Sequence, residues 1–129
     1  MQQEEFLKKV QDYGGLESRD DALRITEVFF STLGEWLYRT EIRKLATQLP
    51  KEFEDFFYKE QDPEQSPADV SRYKLEVFYT RIKARADIGY NEAVKLSKAA
   101  ARVLQESVSP GEMEDVIQKL PDEFDKLFE

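Results

Sequence analysis

The chain contains no cysteine and no histidine. Their absence excludes a disulfide, a haem thioether, a zinc site of nitrogen and sulfur ligands, a Glu-x-x-His di-iron site and any nucleophilic relay through Cys or a Ser-His pair. No apolar run approaches the roughly 18 residues of a membrane-spanning helix. The start, Met1-Gln-Gln-Glu-Glu-Phe-Leu-Lys-Lys, has acids where a signal peptide carries its basic region, and no apolar stretch follows. A soluble, cytoplasmic protein is the expectation. Positive charge is also in short supply: 19 Lys and Arg against 27 Asp and Glu leave a net charge of −8. That balance argues against general nucleic-acid binding and against anionic membranes, both of which need Lys and Arg to meet phosphates.

What is present is enough to fold. Of 129 residues, 40% are apolar and 36% charged, which suits one compact domain and not a disordered chain. The sequence is written twice. Thr40 to Phe57 lies over Gly111 to Phe128 at an offset of 71, with Glu41/Glu112, Leu49/Leu120, Pro50/Pro121, Glu52/Glu123, Phe53/Phe124 and Phe57/Phe128 identical. Upstream the same offset pairs Ala22 with Ala93 and Leu33 with Leu104, while an offset of 72 pairs Phe6 with Phe78, Val10 with Ile82 and Leu16 with Ile88. We read a duplication: copy one over residues 1–60, copy two over 67–129, and a linker at 61–66 that has no large apolar residue.

Each copy has a helical period. Phe6, Leu7 and Val10 mark a first helix stopped by Gly14-Gly15, and Ala22, Ile25, Phe29, Leu33 and Trp36 step along a longer second one behind acidic Asp20-Asp21. Ile42, Leu45, Ala46 and Leu49 mark a third, and Pro50 opens a very short fourth with Phe53, Phe56 and Phe57. Copy two repeats the scheme. Ser109-Pro110-Gly111-Glu112 and Ser66-Pro67-Ala68-Asp69 both read as capped helix starts, the second predicting one long helix from Pro67 through Val70, Tyr73, Val77 and Phe78. The expected fold class is all-α: a duplicated helical bundle of two pseudo-symmetric copies, about four helices each, sharing one core because some 60 residues are marginal alone. The pairs Phe29/Ala100 and Phe30/Ala101 set bulk against small side chains where the copies would meet; the plainer account packs each face within its own copy.

Leu-Pro-x-Glu-Phe occurring twice, at Leu49 and Leu120, each time behind a Glu-led helix, resembles a bacterial family of unknown function frequent in cyanobacteria and actinobacteria, number twenty-two sixty-seven of that series. The resemblance runs from Glu5-Phe6-Leu7 to the closing phenylalanines. It implies an all-helical duplicated domain and carries over no catalytic residue.

Charge is unevenly placed. Val70 to Arg102 holds eight basic and three acidic residues, whereas Val103 to Glu129 holds two basic and eight acidic. Lys74, Arg81 and Arg85 recur at spacings of seven and four and so fall on one helical stripe, a candidate site for an anionic small ligand or an acidic partner. The plainer account is an ion network between the basic and acidic blocks. Trp36 and Tyr38, opposite Ser107 and Ser109 of copy two, are candidate interaction residues for a protein partner or a homodimer; the plainer account places Trp36 in the core. Glu112, Glu114, Asp115 and Asp122, Glu123, Asp125 have helical spacing and not that of a calcium loop. No general base is spaced to activate a serine or lysine, and no metal or cofactor is implied. The reading is a non-catalytic interaction or scaffold module, with an anion-binding regulator as the alternative.

Overall fold

In the computed structural model, which describes residues 1–129, the first helix boundaries have local causes. Helix α1 (Gln3–Gly14) ends because Gly15 takes the left-handed conformation at φ 63° and turns the chain back. Ser18 then accepts a hydrogen bond from the Asp21 N–H and starts α2 (Arg19–Leu33), with Asp20 and Asp21 in its first turn. A 3-10 turn, Gly34–Trp36, follows α2, and α3 (Arg39–Ala46) leads into a 3-10 helix over Lys51–Tyr58. After the linker come α4 (Pro67–Val70), α5 (Leu75–Ala86), α6 (Tyr90–Ser107), α7 (Pro110–Lys119) and a last 3-10 helix, Asp122–Lys126. No segment is a strand.

The register read from sequence recurs in these boundaries. Helices α1 and α5 both have 12 residues, and their first residues, Gln3 and Leu75, stand 72 apart. The left-handed residue after α5 is Asp87 at φ 56°, the position equivalent to Gly15. Arg19 and Tyr90, which open α2 and α6, stand 71 apart, as do Arg39 and Pro110, which open α3 and α7.

The two halves close on each other reciprocally. Helix α1 packs on α2 and on α6, and α5 packs on α6 and on α2. A single cluster of 34 buried residues draws on both halves. Within it Phe6 meets Phe53 edge-on at 5.1 Å, and the equivalent Phe78 and Phe124 meet at 5.6 Å. Full burial of one such side chain contributes about 1.5–3 kcal/mol.

Four expectations change in detail. The long helix predicted from Pro67 breaks into α4 and α5, because Lys74 adopts extended backbone and the Glu123 carboxylate accepts the Leu75 N–H. The second helix stops at Leu33 and tightens into the 3-10 turn, where Gly34 sits so close to the following 3-10 helix that a Cβ there would lie 1.9 Å from the Phe57 carbonyl oxygen. The short helices behind Pro50 and Pro121 are 3-10 and not α. Ser66 and Asp69 form the full capping box, and those Ser66 hydrogen bonds hold the Asp69 carboxyl below its usual range. Ser109 makes no side-chain cap; its N–H donates to Gln48 Oε1 at 2.7 Å instead.

Candidate functional site

The basic stripe resolves into two places. Arg81 and Arg85 both reach Glu35, at 3.0 Å and 2.5 Å, and Arg85 also donates to the buried Thr32 hydroxyl at 3.0 Å. The Arg81 guanidinium lies 5.3 Å from the centre of the Trp36 ring and 5.4 Å from that of Tyr73. Glu35, whose side chain is only 9% exposed, thus ties the end of α2 to the face of α5. Lys74 is not part of this cluster. It precedes α5 in extended conformation, so a spacing of seven does not carry it onto the helical stripe.

The same cluster exists once more, and sequence reasoning missed both. Glu106, 71 residues beyond Glu35, receives Lys9 at 3.1 Å and the Tyr13 hydroxyl at 2.9 Å, and Lys9 and Tyr13 stand 72 residues before Arg81 and Arg85. Each first helix therefore bonds to the glutamate at the end of the other half's second helix. Burial pushes the Glu106 carboxyl up, but the Lys9 and Tyr13 hydrogen bonds outweigh it and hold the group below its usual range. The signal was available in the identity of Glu35 and Glu106 at the repeat offset.

Trp36 and Tyr38 also part company. Trp36 is 2% exposed, with its ring 5.5 Å from those of Phe78 and Phe124, so it fills the second half's core and offers no surface to a partner. Tyr38 is 49% exposed, and with Tyr90 at 40% is one of two large exposed apolar side chains. It stands at a cleft of about 480 Å³ between the start of α3, the end of the first long 3-10 helix and the linker. Leu37 and Val70 line the cleft beside Tyr38, and Arg39 lies over the Tyr58 ring at 4.9 Å. Glu41 bonds back to the Tyr38 N–H at 3.0 Å and fixes the direction in which the chain enters α3.

Lys74 lines a smaller cavity, about 260 Å³, at the amino end of α5. Leu75, Tyr79 and Tyr90 form its apolar wall, and Lys126 stands with Lys74 among its charged residues. A third cavity of about 420 Å³ is lined by equivalent residues from both halves: Leu16 and Ile88, Asp21 and Glu92, Ile25 and Leu96.

A family model described as "Uncharacterized conserved protein (DUF2267)" matches residues 3–127. The chain belongs to the DUF2267 family. No curated protein matches it. Because the match spans both halves and the linker, the DUF2267 unit includes both halves. In this DUF2267 protein no helix is long and apolar enough to cross a membrane. No group of three or more acidic side chains is placed to hold a metal ion.

Proposed function

We propose that this DUF2267 protein is a non-catalytic interaction module that binds a segment of another protein in the cleft beside Tyr38. The observation that carries the reading is the half-exposed Tyr38 ring at the cleft, next to an Arg39 guanidinium stacked on Tyr58. Exposed Tyr and Arg at a concave site are the residue types that dominate binding energy at protein interfaces. The turn that presents Tyr38 is held by the Glu41 bond, so little ordering is left for the partner to bring about. A homodimer is the other occupant this reading allows. Arg81 and Arg85, engaged with Glu35, are poor candidates for an external anion, and an anion-binding role contracts to the neighbourhood of Lys74.

Selection from a displayed peptide library tests this. Peptides should be recovered that bind the wild type, lose about tenfold or more in affinity with Tyr38→Ala, and bind Tyr90→Ala unchanged. Light scattering on the free protein reports self-association in the same cleft. Recovered peptides that bind Tyr38→Ala as well as wild type would sink the proposal, as would a selection that recovers none from a monomeric protein.

A further inference from the structure

We draw no further inference here: the strongest candidate, the cavity of about 420 Å³ lined by Leu16, Ile25, Ile88 and Leu96 with Asp21 and Glu92, carries nothing, because the two acids sit in the first turns of α2 and α6, whose amino ends they stabilise without a ligand, and nothing in the structure shows what covers the apolar residues between them.

Discussion

Gly34-Glu35-Trp36 and Gln105-Glu106-Ser107 occupy equivalent positions in the two halves, and they solve the same problem differently. In the first half the chain tightens into a 3-10 turn; in the second, α6 continues as α-helix to Ser107. Gly34 brings its backbone directly against the Phe57 carbonyl, whereas Gln105 reaches the equivalent Phe128 carbonyl with its side-chain Nε2 at 3.0 Å. Glu35 is gripped by two arginines, and Glu106 by a lysine and a tyrosine. Trp36 crosses into the other half's core, but Ser107 bonds its own helix at Val103 and contacts Met1. Phe30 lies 5.7 Å from Phe53 in the first half, and where the second half has Ala101 in the place of Phe30, Trp36 supplies the ring 5.5 Å from Phe124, the equivalent of Phe53. Equivalent positions keep the same anchor points, and side-chain volume is moved between halves to fill them.

Three pairs of substitutions would break or sharpen this contrast. The largest difference is expected at Trp36 and Ser107. Trp36→Ala should cost about 3–5 kcal/mol in urea denaturation, because it empties a site between Phe78 and Phe124, while Ser107→Ala should cost at most about 1. Equal costs would mean that Trp36 is not a core element of the second half.

Next comes Gly34→Ala. The added methyl would collide with backbone, which cannot rotate away as a side chain could, so about 2–3 kcal/mol should be lost. Gln105→Ala removes one hydrogen bond to a carbonyl and should cost about 1. A Gly34→Ala protein as stable as wild type would show that the close approach is not needed.

The smallest effect separates the glutamates. Glu35→Gln should cost about 2 kcal/mol, since two half-buried guanidiniums lose their charged acceptor, and Glu106→Gln less than about 1, because its side chain is 32% exposed and better screened. A carboxyl whose folded pKa is depressed stabilises fully above its unfolded pKa, and that contribution is lost as pH falls through the folded value. Below about 4.5 the wild type should therefore lose a small increment of stability that Glu106→Gln does not lose. Superimposable acid melts of the two proteins would remove Glu106 from the account.

Much of the helical plan was legible because it rests on local signals. Gly14-Gly15, Ser66-Pro67 and the three- and four-residue apolar steps each act within a turn of chain, and each is found where it was read. Other features were hidden because their causes are distant in sequence. Nothing near Lys74 announces that Glu123 will take the Leu75 N–H and let the helix restart there. Spacing put Trp36 on the end of a helix, but not the 3-10 turn there or the rings of Phe78 and Phe124, some 42 and 88 residues later, that the indole packs against. Arg81 and Arg85 were visible as charges, and the acid that neutralises them lies some 50 residues upstream.

The reciprocal closure of α1 on α6 also orders events in time. Lys9 and Tyr13 find their partner 97 and 93 residues later in the chain. While such a chain is being synthesised, its first helices leave the ribosome well before α5 and α6 exist, and synthesis at about 5–20 residues per second sets that interval at several seconds. During it Phe29, whose ring meets Phe78 in the finished fold, has no second half to close over it. Contacts so far apart in sequence also slow folding, since the loop between them must close before they contribute. The first half of this protein has to remain dispersed until the second arrives, a demand on the nascent chain that its finished, well-covered surface does not reveal.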